Sequence, residues 1–342
     1  MAIRIKDIAE RVGVSRGTVD RVLHNRGNVA PHLKQKIENA ISELGYKPNV
    51  IASRLVSNKP LSIGVVLPHF SEDSYWSLPI QGIQNCIEDY SHFNIEIKTV
   101  YFNLVNEQSI IDACHSQELL NVDAVILAPI YTIKENECIA IFKNRNIPVV
   151  AINTSTEPST EYTFCVGQDS YQAGQIAGRL FDLSIKGNPS ILQLTIGQLA
   201  HEKTHIKQRK LGLQDYFNNK DCSFTTSDIP NLSNTHQLTL QIMTHIEQYG
   251  PFNGVFIANS KAYRFAAAMK KEEKTPITIG FDLNEEHKAC LKRNELNFII
   301  DQDPERQGHT AMKVLIESLI LSRELSSVHF MPIGIVIKES LF

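Results

Sequence analysis

Two groups of residues in this sequence have types and spacings suited to chemistry, and they imply different proteins. The first is Arg16 and Arg21, close together in GVSRGTVDRVLHNRG. A guanidinium fork can donate to O6 and N7 of guanine together, or hold a phosphate. The second is His201-Glu202-Lys203-Thr204-His205, an HExxH sequence. On a helix its two imidazoles would share a face, bind zinc and leave Glu202 as a general base for peptide hydrolysis. The surrounding residues weaken that second reading. The metzincin continuation needs glycine at 208 and histidine at 211, where the chain has Gln208 and Leu211, and no glutamate lies between Glu202 and Glu247. A zinc metallopeptidase is therefore a remote alternative, and neither a P-loop nor a serine elbow supports any other enzyme.

The elements around the arginines can be read from periodicity. Ile5, Ile8, Ala9 and Val12 make the apolar stripe of a short helix. Gly13 stops it, Val14 packs under the turn, and Ser15 is a good N-cap for a second helix. That helix turns Thr18, Val19, Val22 and Leu23 inward, leaving Arg16, Gly17, Asp20, Arg21 and His24 outward. The reading is helix-turn-helix, the geometry that places a second helix in a DNA major groove. The competing reading is a small helical hairpin whose arginines are only solvated. A third helix is expected over 31–44, with Pro31 at its first position and Leu33, Ile37, Ala40, Ile41 and Leu44 on its buried side. Ala30 offers it no capping oxygen, a loss of roughly 1 kcal/mol. Residues 49–57, NVIASRLVS, are too few for a stable isolated helix and are expected to order only on a partner.

The stretch GVSRGTVDRVLHNRGNVAPHLKQKIENAISELGYKPN, with the segment holding Ala52 and Leu55, resembles the lactose-repressor (LacI/GalR) family of bacterial regulators. The resemblance implies that 49–57 is a hinge helix that forms on operator DNA, with Leu55 as a minor-groove wedge and Ala52 beside it. The DNA-contacting set it implies is Ser15, Arg16, Gly17, Thr18, Asp20, Arg21, Asn25, Ala52 and Leu55. Two positions depart from the family pattern. Asp20 stands where serine is usual, and its carboxylate would repel phosphate. It can pair with Arg16 or accept from a cytosine amino group. Gly17 stands where a side chain usually meets a base.

The chain has 342 residues, 42% of them hydrophobic and 21% charged, which suits a globular protein of more than one domain. Its net charge of −3 hides an asymmetry: residues 1–60 hold eleven Lys and Arg against five Asp and Glu, a net +6, so the rest carries −9. A basic head on an acidic body confines polyanion affinity to the head. MAIRIKDIAE lacks the apolar core of a signal peptide, so a cytoplasmic protein is expected rather than a transport receptor. The six cysteines form no CxxC pair and read as reduced structural thiols. No cofactor or metal is expected.

From Leu61 onward, strand-like runs alternate with helical stretches: LSIGVVLP, IEIKTVYF, DAVILAP and IPVVAIN, then, after TFCVGQDS, SILQLTI, a strand near 222–226, GVFIAN and ITIGFD. This βαβ rhythm implies parallel sheets covered by helices. Its restart implies two similar Rossmann-like lobes. The whole is thus a small all-α helix-turn-helix head on an α/β sensor, similar to the type I periplasmic-binding-protein fold. The expected organisation is a head over 1–48, a hinge and linker over 49–60, and a two-lobed body over 61–342. That resemblance implies three crossings between lobes, expected near 162, 292 and 326. The first lobe is then 61–162 with 293–325, and the second 163–292 with 326–342.

Ligands in open α/β sheets bind beyond the carboxyl ends of strands, and here two such edges face one cleft. The first loop, HFSEDSYWSLPIQG, holds the only tryptophan. Aromatic rings cover the C–H faces of sugars, and carboxylates, amides and guanidinium groups meet their hydroxyls. By resemblance to ribose-binding proteins, Asp73, Tyr75 and Trp76 contact ligand, though Trp76 can equally be a core residue. The same resemblance adds Asn153, Lys207 or Arg209, Asn259, Asp282 and Gln302, each of which has a bland alternative as a cap or turn residue. His201 or His205 can also reach an effector.

Together these features imply a homodimeric repressor of carbohydrate-utilisation genes that binds a near-palindromic double-stranded operator. A sugar or sugar derivative in the cleft would switch its affinity. A purine-type or other non-sugar co-repressor is the alternative, and the sign of the response is not fixed by the sequence.

Overall fold

The computed structural model describes residues 5–23, 27, 29–44, 60–70, 75–104, 106–153, 163–197, 204–230, 232, 234–270, 275–321 and 328–341. The chain divides into two compact units, Met1–Asn58 and Lys59–Phe342.

The first unit contains helices α1 (Ile5–Val12), α2 (Arg16–Leu23) and α3 (Pro31–Leu44). Gly13 adopts φ +76°, and the Val14 N–H reaches back to the Ala9 carbonyl at 2.9 Å, closing α1 with a glycine turn. The Ser15 Oγ accepts the Thr18 N–H at 3.1 Å and so caps α2. Ile8, Ala9, Val19, Val22, Ile37 and Ala40 form a common core. The third helix starts on the Ala30 carbonyl, which accepts from the Leu33 and Lys34 N–H groups without a side-chain cap.

The second unit is built on two six-stranded sheets. The first contains β1 (Leu61–Pro68), β2 (Ile95–Phe102), β3 (Ala124–Leu127), β4 (Val149–Ile152), β5 (Phe164–Gly167) and β11 (Val328–Phe330), in the order β11-β5-β4-β3-β1-β2. The second contains β6 (Ser190–Ile196), β7 (Ser223–Ile229), β8 (Gly254–Ile257), β9 (Ile277–Phe281), β10 (Phe298–Asp301) and β12 (Gly334–Val336), in the order β12-β10-β9-β8-β6-β7. All pairings are parallel except β10 with β12. The central strands are apolar on both faces because helices cover both, and β3, β4, β5 and β8 are buried along their whole length. The remaining helices are α4 (Ser77–Asp89), α5 (Gln108–Cys114), α6 (Thr132–Lys143), α7 (Ser170–Ser184), α8 (Thr204–Tyr216), α9 (Thr235–Tyr249), α10 (Ala262–Met269), α11 (Glu285–Lys292) and α12 (Pro304–Leu321).

The crossings lie later in the chain than expected. β5 still belongs to the first sheet, β10 to the second and β11 to the first, so the lobes exchange after Gly167, after Asp301 and between Phe330 and Gly334. The boundaries near 162, 292 and 326 are each corrected by several residues. The physical reason is that a parallel strand finishes its ladder before the chain leaves the sheet: Phe164, Cys165 and Val166 pair with Val150, Ala151 and Ile152, and Phe298 to Ile300 pair with Ile279 to Phe281. No helix among the described residues is long and apolar enough to cross a membrane.

Candidate effector cleft and nucleic-acid interface

On the first unit, the core side of α2 buries Val19 and Val22, while Arg16, Gly17 and Arg21 are exposed and Thr18 and Asp20 are half-buried. Burial of that stripe leaves both arginines on the solvent side of one helix, beginning at a capped N-terminus. Asn25, Ala52 and Leu55 lie outside the described residues, as does Asp73 in the second unit.

In the second unit, polar residues collect where strands end. Asn153 follows β4 with φ +54°, and Asp282 follows β9 with φ +67°. This left-handed turn is tolerated by Asn and Asp better than by other side chains, and here it bends the chain directly at the sheet edge. A hydrogen-bonded chain then runs from lobe to lobe. The Tyr75 hydroxyl donates to Asn153 Oδ1 at 2.8 Å. The Asn153 N–H donates to Gln307 Oε1 at 3.0 Å, and Gln307 Nε2 donates to the Gln302 carbonyl at 2.9 Å. Gln302 Nε2 reaches Asp282 Oδ1 at 2.5 Å. Behind it, His287 Nδ1 lies 2.6 Å from the Asp282 carbonyl, which fixes that nitrogen as the protonated one.

Arg209 enters the same region from α8. It is only 2% exposed, stacks 3.8 Å over the Phe281 ring, and donates from one terminal nitrogen to the Ala258 carbonyl at 2.9 Å. Its Nε has no hydrogen-bond partner, and neither has Asn259 Oδ1, whose amide nitrogen holds the Ile196 carbonyl at 2.8 Å. A buried donor and a buried acceptor are thus left open near the same strand ends, each a costly condition unless something fills it.

The charges are strongly perturbed. Burial lowers Arg209 to about 10, with Asp282 opposing that shift. Burial raises the Asp282 carboxyl to about 6, with Arg209 and Gln302 pulling it back. Burial, then the charge of Asp282, drives the Tyr75 hydroxyl above its ordinary range. His287 falls to about 4 through burial and stays neutral.

A cavity of about 510 Å³ opens between the lobes, with Tyr75, Ser77 and Pro304 on one side and Ser260, Tyr263 and Asp282 on the other.

Several site expectations are sorted by these positions. Tyr75, Asn153, Arg209, Asp282 and Gln302 come together. Asn259 stands at the neighbouring strand end. Lys207 is exposed on α8, so Arg209 is the buried cation of that pair. Trp76 is buried in the core of the first lobe, edge-on to Tyr75 at 5.0 Å, in its alternative role as a core residue, and Tyr75 lines the cavity. His205 falls in the first turn of α8, whereas His201 and Glu202 lie outside the described residues. Gln168, Gln307 and His287 were not anticipated. Gln168 follows β5 at the first crossing, and its Nε2 donates to the carbonyls of Asp301 at 2.9 Å and Pro332 at 3.4 Å. One side chain therefore ties the first crossing to the other two.

Residues 4–49 match the bacterial regulatory proteins of the lacI family, and residues 63–320 match the periplasmic binding protein domain. The chain belongs to the periplasmic binding protein domain family and carries a lacI-family head. Among curated relatives of the chain is the HTH-type transcriptional regulator MalR of Streptococcus pneumoniae, 28% identical over 221 residues. That alignment covers 62% of this chain and 65% of the relative, so the chain spans somewhat less than two thirds of the relative's length. Among solved structures, a LacI-type regulator from Bacteroides fragilis superposes with a TM-score of 0.74 at 24% identity, covering 82% of this chain and 98% of that one. GanP, a glucose-galactose binding protein from Geobacillus stearothermophilus, gives 0.71 at 21% identity, covering 83% and 99%. At these identities the two structures speak for the fold.

Proposed function

We propose that this lacI-family chain is a cytoplasmic, homodimeric transcription regulator rather than an enzyme, and that it represses carbohydrate-utilisation genes until a sugar or sugar derivative occupies the interlobe cleft. The observation that carries the reading is the pair of open polar atoms, Arg209 Nε and Asn259 Oδ1, beside the buried Asp282 carboxylate. A hydroxyl both donates and accepts, so a polyol can satisfy a guanidinium, an amide oxygen and a carboxylate at once. Asp301 adds a second, half-buried carboxylate whose charge reaches Asp282 and Tyr75, so the cluster is acidic on balance, which suits a ligand that presents hydroxyls rather than anionic groups.

The proposed switch works by bridging. Tyr75 and Asn153 belong to the first lobe, Arg209, Asn259 and Asp282 to the second, and a ligand held by both favours one angle between them. The segment 49–57 leads directly into β1, so the lobe angle governs whether the two hinge segments of a dimer can pair on DNA. Arg16 and Arg21 supply base and phosphate contacts, with Ser15, Thr18, Asp20 and Asn25 around them. Leu55, next to Ala52, is the wedge.

The test is selection of bound duplexes from a random DNA pool by the full chain, followed by binding of the selected duplex with and without a carbohydrate panel. A near-palindromic consensus released by one carbohydrate supports the proposal. Absence of any consensus, or a consensus whose affinity no carbohydrate changes, overturns it in its DNA-reading or sugar-sensing part respectively.

A further inference from the structure

The room between the lobes extends past the polar cluster assigned above. The cavity of about 510 Å³ shares Asp282 and Tyr75 with that cluster, but Arg209, Asn153, Asn259 and Gln302 do not line it. Its further wall is made by Ser260, Tyr263 and the start of α11. We infer that the effector has at least two sugar rings, the first held by the polar cluster and the second by this cavity, and that the ligand is a neutral oligosaccharide. The inference rests on reading the cluster as the effector site.

Three observations support it. A cavity of about 510 Å³ lies within the roughly 300–1,000 Å³ range of small-molecule sites, so there is room for a ring beside the cluster. Tyr263, packed edge-on against His287 at 5.6 Å, supplies the ring against which the C–H face of a sugar can lie. The wall is also negative on balance. Asp282, Glu285 and Glu286 face Lys261 and Lys288, and Lys288 is already paired with Glu285 at 2.7 Å. A phosphate or carboxylate on the second ring would meet that excess of like charge, whereas hydroxyls meet acceptors.

The experiment is calorimetric titration of the full chain with glucose and galactose, with maltose, cellobiose and lactose, and with glucose 6-phosphate. One neutral disaccharide should bind about tenfold or more tighter than either monosaccharide and than the phosphate ester. Tyr263→Ala should remove that advantage and leave monosaccharide affinity unchanged, while Tyr263→Phe should keep it. A monosaccharide that binds as tightly as every disaccharide, a phosphate ester that binds tighter than its parent sugar, or equal losses for both ring numbers in Tyr263→Ala would each overturn the second ring alone. Silence from every carbohydrate would overturn the cluster assignment and this inference with it.

Discussion

The carbonyl oxygen of Arg209 sits 2.1 Å from where a Cβ on Gly174 would be, so α7 and α8 touch backbone to backbone at the residue that carries the buried guanidinium. The contact is reciprocal: a Cβ on Gly212 would lie 2.0 Å from the Tyr171 carbonyl. The first lobe repeats the device, with Gly82 against the Glu305 carbonyl and Gly308 against that of Pro79. Each lobe thus fixes a helix pair by two glycines. In the second lobe that pair carries Arg209.

Gly174→Ala should therefore act on the site through position. The added methyl must push α8 outward, at a cost of about 1–3 kcal/mol for overpacking. Arg209 moves with it. The expected result is a melting temperature lowered by several degrees, roughly as such a loss implies for a domain of this size, and weaker effector binding at unchanged operator affinity without effector. Titration calorimetry beside a thermal melt checks this. Undiminished effector affinity would detach the glycine contact from the site.

Asp282→Asn should stabilise the protein and silence it. Burial raises the carboxyl to about 6, so at neutral pH its charge is held at a cost, on the order of 1–3 kcal/mol. The sign follows from a raised pKa. The folded state holds the proton more tightly, and that stability is fully present below about pH 4 and lost as pH rises through about 6. The variant's advantage should be largest above pH 7 and vanish near pH 4. Denaturant melts across pH measure it, and a variant no more stable than the parent at pH 8 would contradict the assignment of burial as the cause.

The same titration should appear in binding. If ligand hydroxyls donate to the Asp282 carboxylate, effector affinity falls as pH drops through about 6 and is flat above 7, because protonation removes the acceptor. An affinity that is flat from pH 5 to 8 would mean that Asp282 does not receive a ligand hydrogen bond.

Much of this arrangement could be read from the sequence, for a specific reason. The helix over 31–44 announces itself by its apolar period and by Pro31 at its first position, and its observed bounds agree with the expected ones. The place of Asn153, Asp282 and Gln302 at strand ends was legible because each directly follows an apolar strand-like run. The crossings were not legible. FCVG and FIID are equally good central strands in either sheet, so only pairing decides which lobe holds them. Gln168, Gln307 and Gly174 were also hidden, since each acts on a partner far away in sequence. Whether Trp76 meets ligand or the core depended on which way the α4 entry turns its ring, and local periodicity does not reach that.

Gln168 invites a test of the hinge. Its amide holds one carbonyl in each of the other two crossings, so Gln168→Ala removes two hydrogen bonds at the pivot, a loss of about 1–3 kcal/mol. Amide exchange around 301–303 and 331–333 should quicken while the sheet cores stay protected. The concentration of effector needed for half-release from operator should shift as well. Unchanged exchange at both crossings would show that the lobes pivot elsewhere.

Leu55 tests the other end of the switch. The segment 49–57 lies outside the described residues, and its role follows from the family resemblance: a leucine driven between base steps repays the unstacking through the extra contacts of a bent duplex. Leu55→Ala should then weaken operator binding by about tenfold or more and leave effector binding untouched, because the wedge acts only on DNA. Arg16→Ala supplies the contrast. If its guanidinium grips phosphate, the loss is similar on all duplexes and the salt dependence of binding becomes shallower by about one counterion; if it reads guanine, the loss is confined to the selected sequence. Parallel losses of DNA and effector binding in Leu55→Ala would signal a misfolded chain and remove the wedge from the mechanism.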